Sequence, residues 1–160
     1  MAVSISIETP LQDDVRGLVA QLNDHLLPLS PLEFQFKMTV EQMAEPHTTL
    51  FVARDEAGKA VGMGALKAHS AELGEVKRMF TDPQARGQRV GSALLQAIVA
   101  LAREKNLPML MLETGTGDGM AEAHRLYTRS GFKPRGPFLD YPDSEWSAFF
   151  ELPLQTEQPA

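Results

Sequence analysis

The residues best placed to do chemistry form one run, Thr81-Asp82-Pro83-Gln84-Ala85-Arg86-Gly87-Gln88-Arg89-Val90-Gly91-Ser92-Ala93-Leu94-Leu95. A strand pattern ends just before it, the loop holds two Gly and two Arg, and an apolar helical pattern begins at once. Unpaired backbone N–H groups and the positive end of a helix therefore point at one spot. That spot suits an anion, most simply a phosphate or pyrophosphate. The run is not a Walker A loop, because it lacks Gly-Lys-Ser/Thr, and it lacks the three-Gly spacing of a dinucleotide fingerprint. Taken alone, it also reads as a surface turn with solvated Arg side chains.

Titratable groups elsewhere are fewer. A period of two places Glu75, Lys77 and Met79 on one face of a strand, where the carboxylate can accept a proton or simply pair with a neighbouring cation. His69, His124 and Glu113 are weaker alternatives for a base, and His124 lies three residues before Tyr127, as helical neighbours do. No two His have metal-ligand spacing and there is no Cys, so no metal site is expected. The absence of Cys also excludes a thiol nucleophile and a disulfide framework.

The elements that must hold these groups follow from apolar spacing. Residues 1–8 alternate as a strand. Thr9, Pro10 and Gln12 have the form of a capped helix start, followed by Val15, Leu18, Val19, Leu22 and Leu26 at spacings of three or four. Residues 30–40 start like a capped helix yet alternate like a strand, and pattern alone leaves them open, with Phe34 and Phe36 on a connection. Residues 39–44 read as a short helix stopped by Pro46. Three strands are expected at 49–54, 60–69 and 73–80, then a helix from Gly91 with Leu94, Leu95, Ile98, Leu101 and Ala102 on one face. A buried strand at 109–114, a helix at 120–130 closed by Gly131, and strands at 132–136 and 147–152 complete the order. The strand-helix-strand unit implies a parallel pair inside an otherwise antiparallel sheet. The expected class is α/β (α+β), a mixed, mostly antiparallel sheet of about seven strands with helices on both faces.

The chain has 160 residues, 43% of them apolar, with 15 basic and 21 acidic side chains for a formal net charge of -6. A chain of this size buries roughly 70% of its unfolded surface, enough for one core without staples. The acidic balance argues against nucleic acid as the main partner. The start has no basic n-region, and no stretch of about 18 apolar residues occurs that would span a membrane, so a cytoplasmic location is expected.

Arg86-Gly87-Gln88-Arg89-Val90-Gly91 after Glu75-Val76-Lys77-Arg78-Met79-Phe80, with Leu126-Tyr127-Thr128-Arg129-Ser130-Gly131-Phe132 some forty residues later, resembles the GNAT family of acyl-CoA-dependent N-acetyltransferases. The resemblance covers roughly residues 3–152. It implies one GNAT domain over residues 1–152, with a tail at 153–160. It implies that Arg86, Gly87, Gln88, Arg89, Val90, Gly91 and Ser92 cradle the pyrophosphate of acetyl-CoA. Met79, Phe80 and Thr81 would then pair with the pantetheine arm like an added strand. Arg89 departs from the family pattern by standing at its middle Gly. A second departure is the turn at 115–119, where many relatives place an Asn and Asp118 is the nearest polar residue.

The resemblance further assigns Glu75 as general base and Tyr127 as the acid that protonates the departing thiolate; the plainer reading of Tyr127 is a packed aromatic. Residues 137–147, which resemble the Pro-Phe-x-x-Tyr segment of a bacterial subgroup, would place Phe138 and Tyr141 at the acceptor site, with Phe34 and Phe36 as the opposite wall. The implied activity is N-acetylation of a primary amine of a small molecule, with a homodimer as the family expectation. A non-catalytic acyl-CoA sensor and a peptide or protein N-acetyltransferase are its rivals.

Overall fold

The computed structural model describes residues 3–85 and 89–154. Seven strands, β1 (Ser4–Ile7), β2 (Thr48–Arg54), β3 (Ala60–Ala68), β4 (Gly74–Thr81), β5 (Met109–Gly115), β6 (Lys133–Arg135) and β7 (Ser147–Pro153), form one sheet in the order β1-β2-β3-β4-β5-β7-β6. Only β4 and β5 run parallel. The helix between them, α3 (Val90–Glu104), is the crossover such a pair needs. Helices α1 (Asp13–Leu26), α2 (Val40–Met43) and α4 (Ala121–Arg129) complete the element order expected from the apolar pattern.

Each sheet face is covered because each covering helix has an apolar stripe. On one face Val15, Leu18, Val19 and Leu22 of α1 pack on Leu50, Val52, Met63, Ala65 and Phe80. On the other, Leu94, Leu95, Ile98 and Ala102 of α3 pack on Phe51, Val61, Leu66, Val76, Leu110 and Leu112. Each fully buried aliphatic side chain contributes about 1.5–3 kcal/mol. The two layers together therefore fix which strand ends lie over which helix ends.

Two expectations change. Helix α1 begins at Asp13, not at Thr9: Thr9 Oγ1 accepts from the Leu11 N–H, and Gln12 Nε2 donates to the Thr9 carbonyl and to Glu8. These local bonds satisfy the polar groups in a turn, which competes with a helical start. Leu11 is consequently half exposed. The ambiguous segment 30–40 resolves into a 3-10 turn (Leu32–Phe34) and an extended run to Thr39, which caps α2 with the Gln42 capping box. At the other end, β7 runs through Pro153, and Leu154 is buried with its N–H on the Pro108 carbonyl, so packing reaches beyond residue 152.

The second change shapes the site. Lys77 pairs with Ala65 and Phe80 with Met63, so Arg78 and Met79 together face Gly64 alone, a β-bulge with Arg78 at φ +56°. A side chain at position 64 would put its Cβ 2.4 Å from Met79 Sδ, so Gly64 leaves room for Met79 to pack where it does. Alternation reverses there: Phe80 packs under α1 and Met79 under α3. Met79 therefore does not share a face with Glu75 and Lys77, contrary to a strict period of two. Pairing of β4 with β5 is confined to Gly74 with Leu110 and Glu75 with Met111. Past Glu75 the two strands part.

Candidate active site

A small cavity of about 130 Å³ lies beside the parting strands, lined among others by Phe34, Phe36, Glu75, Lys77, Arg78 and Glu113. The Glu75 side chain is only 3% exposed yet well satisfied. His69 Nε2 lies 2.7 Å from one carboxylate oxygen, the Tyr141 hydroxyl donates to the other at 2.5 Å, and Lys77 Nζ stands 3.6 Å from it. Lys77 Nζ also donates to the Tyr141 oxygen at 3.0 Å. The Tyr141 phenol is pushed well above its ordinary pKa, first by burial and then by the Glu75 charge, so it stays protonated as a donor. Its ring is fixed by Phe138 and Phe36 at centroid distances of 5.0 and 5.1 Å, and by Phe149.

Glu113, from β5, lines the same cavity and accepts from Ser147 Oγ at 2.8 Å. Burial pushes its pKa up to about 6, opposed by the Ser147 hydrogen bond and the Lys77 charge and assisted by the Glu75 charge. Two carboxyl groups with different surroundings thus share one small space.

A larger cleft, about 780 Å³, runs along the other side of the split. Its lining includes Met79, Phe80 and Thr81 of β4, then Arg89, Val90, Gly91 and Ser92 at the start of α3. The N-cap residue Arg89 makes no side-chain hydrogen bond to the first turn of α3, and among the described residues the N–H groups there face the cleft without a capping side chain. Arg89, the N-cap, takes the left-handed conformation at φ +59°, ψ +30°, the geometry a Gly supplies without strain. Arg86, Gly87 and Gln88 lie outside the described residues.

The two hollows meet at Leu22, Leu26, Met79, Met120, Ala123 and Tyr127. Tyr127 is buried, packed at 6.0 Å against both Phe132 and Phe150, and its pKa is raised by burial and then by Glu113. It therefore stays a neutral phenol at the junction.

The structure therefore groups Phe34, Phe36, Glu75 and Tyr127 around connected space, with residues 79–81 and 89–92 on the larger cleft. Tyr141 and Phe138 stand behind Glu75, as hydrogen-bond donor and packed ring. His124 is engaged elsewhere: its Nε2 is 2.8 Å from the Gly115 carbonyl and its ring packs on Phe150, which ties α4 to the end of β5. Sequence reasoning placed His69 as a rival to Glu75, whereas the β3–β4 turn makes it a partner. It passed over Lys77 and Arg78 as parts of the pocket wall. The available signal was a pair of cations inside an otherwise apolar strand.

Residues 46–134 match the family described as Acetyltransferase (GNAT) domain. The chain is 40% identical to the IAA acetyltransferase of Azospirillum brasilense over 95% of its own length and 98% of that protein. It is 36% identical to the uncharacterised N-acetyltransferase YedL of Escherichia coli (strain K12), over 88% of this chain and 87% of the relative. Among solved structures, a candidate acyl-CoA N-acyltransferase from Klebsiella pneumoniae superposes with a TM-score of 0.79 at 33% identity, over 96% of this chain and 98% of the other. A GNAT family acetyltransferase from Elizabethkingia anophelis, solved with acetyl-CoA bound, shares the fold at a TM-score of 0.65 and 16% identity, over 95% and 98% of the two chains.

Proposed function

The chain belongs to the GNAT acetyltransferase family, so it is an acyltransferase, and from that premise we propose that it transfers the acetyl group of acetyl-CoA to the primary amine of a small molecule. The observation that carries this reading is the junction at Tyr127 between a cleft with a free helix N-terminus and a small cavity walled by carboxyl groups. In this scheme residues 79–81 and 89–92, with Arg86, Gly87 and Gln88, hold the cofactor, its pyrophosphate at the start of α3. Phe34 and Phe36 wall the acceptor, and Phe138 holds Tyr141 against Glu75.

The amine arrives as ammonium and must lose a proton before it can attack. Glu75 takes that proton directly or through water, and the neutral nitrogen bonds to the thioester carbonyl carbon. The C–S bond then breaks, the thiolate takes a proton from the Tyr127 hydroxyl, and the excess proton on the attacking nitrogen passes through water to restore that hydroxyl, leaving a neutral amide. No covalent enzyme intermediate forms. Placing the two reactants on either side of one junction supplies most of the rate enhancement. A second reading of the base has its own support: both Glu75 oxygens are already engaged, by His69 and by Tyr141, whereas Glu113, raised to about 6 by burial, lines the same cavity with a pKa nearer neutrality.

The test is a screen of CoA release across amines, amino acids and peptides. Turnover of small primary amines is expected. Release with peptide N-termini alone would replace the small acceptor by a peptide, and acetyl-CoA binding without release across the panel would sink the scheme.

A further inference from the structure

Arg78 enters the acceptor cavity from the β4 bulge, where the strand departs from regular pairing. The residue is 8% exposed, and one terminal nitrogen donates to Asn23 Oδ1 on α1. Its Nε is buried with no hydrogen-bond partner. Among the described residues no carboxylate stands within ion-pair distance of it. The two acids of the cavity are engaged elsewhere, Glu75 by His69, Lys77 and Tyr141, and Glu113 by Ser147.

Such a group is hard to explain as a contributor to stability. A guanidinium taken out of water without a counter-ion carries a heavy desolvation penalty, and apolar residues of similar volume commonly do better at such positions. Arg78 adds the strain of a left-handed backbone. Burial lowers its pKa to about 10, which leaves it charged at neutral pH. A buried, charged and incompletely bonded donor that opens on a cavity is what an anionic ligand would complete.

We propose that Arg78 binds a carboxylate of the acceptor, so that the substrate class is a small amino acid or similar amine bearing a carboxylate, with its amine turned toward Glu75 and Glu113. This deepens the reading of the cavity as the acceptor site and rests on it. The planar fork of Arg suits a carboxylate better than a point charge would. The modest cavity volume favours a compact molecule.

The experiment titrates the CoA-loaded protein by calorimetry with a panel of α-amino acids and with their carboxamides, which needs no turnover. The acids are expected to bind roughly 10²-fold tighter than the amides, the size of a desolvated charge-assisted pair. In Arg78→Met that ratio should collapse toward one, and Arg78→Lys should keep part of it; CoA titration reports whether each variant has folded. Equal binding of acid and amide by the wild-type protein, no binding of either, or an acid preference that survives in Arg78→Met would each overturn the proposal. CoA release distinguishes the two layers. Neutral amines acetylated with no preference for amino acids would remove the role of Arg78 alone. Amino acids bound through Arg78, with no CoA released from any amine, would remove the transfer scheme and leave the carboxylate site standing.

Discussion

Glu75 is held by His69, Tyr141 and Lys77, contacts that come from a turn, a distant connection and its own strand. Its place as a candidate was legible from the family-like strand, but its partners were not, because two of them are set by loops whose path no periodicity describes. If Glu75 is the base, Glu75→Gln lowers turnover by roughly 10²- to 10⁴-fold and leaves acetyl-CoA affinity near wild type. The pH profile separates it from Glu113. An acidic limb near pH 6 that persists unchanged in Glu75→Gln assigns the titration to Glu113, whose pKa stands at about 6. Glu113 also carries a stability signature. Its folded pKa lies above the ordinary value of 4.5, so the folded state holds the proton longer, and stability present below about pH 4.5 is lost as pH rises to about 6. Denaturant melts at pH 4.5 and 6.5 should show the wild type losing about 1–2 kcal/mol more than Glu113→Gln over that interval; parallel losses would mean its proton is not coupled to folding. Tyr127→Phe keeps the packing on Phe132 and Phe150 and removes only the proton donor. Single-turnover CoA release should slow while melting temperature and acetyl-CoA affinity hold. A variant less stable but equally active per folded molecule would make Tyr127 a packing residue only.

At the level of elements, the helices and most strands were readable because their apolar residues repeat at three to four or at two, and burial enforces those repeats. The bulge was not readable. It depends on a match between strands, Gly64 of β3 against Arg78 and Met79 of β4, and no window along one strand contains both halves. The start of α1 was misplaced for a related reason: Thr9 and Gln12 have capping residue types but spend their hydrogen bonds on a turn. The anion loop was legible as a motif, and its unusual Arg89 proves to occupy a left-handed N-cap. A non-Gly residue there costs about 1–2 kcal/mol, partly offset because Gly loses more chain entropy on folding, an offset of about 0.4–1 kcal/mol. Arg89→Gly should therefore raise stability by a few tenths to about 1 kcal/mol, read by denaturant melts. If the guanidinium also meets a phosphate, the same variant weakens acetyl-CoA binding at low salt more than at high salt. Equal affinity at both salt concentrations would confine Arg89 to the backbone turn.

Across the whole molecule, the sheet divides where β4 and β5 part past Glu75, and both hollows border that division. An acidic chain of net charge -6 would bind a polyanionic cofactor poorly through its overall field. In the proposed scheme the affinity comes locally, from the start of α3 and the end of β4. A ligand in the cleft would then act as a missing element between the two halves of the sheet, binding the folded chain and not the unfolded one. At a concentration 100 times its Kd, such a ligand stabilises by about 2.7 kcal/mol, which raises the melting temperature by roughly 5–10 °C for a chain of this size. The position of the effect is the stronger test. Hydrogen exchange with acetyl-CoA present should slow at residues 79–81 and 89–92, the strand edge and the helix start that line the cleft, while the outer strands β1 and β6 exchange as before. Gly91→Glu, which forces a carboxylate toward the site proposed for the pyrophosphate and crowds Leu126, should abolish both the protection and the thermal shift. Protection spread evenly over the sheet would mean that the ligand only suppresses global unfolding, and protection confined to residues 34–37 and 75–78 would move the cofactor to the smaller cavity. Slowing restricted to the end of β4 and the first turn of α3 would place it in the larger cleft, which residues 79–81 and 89–92 line together.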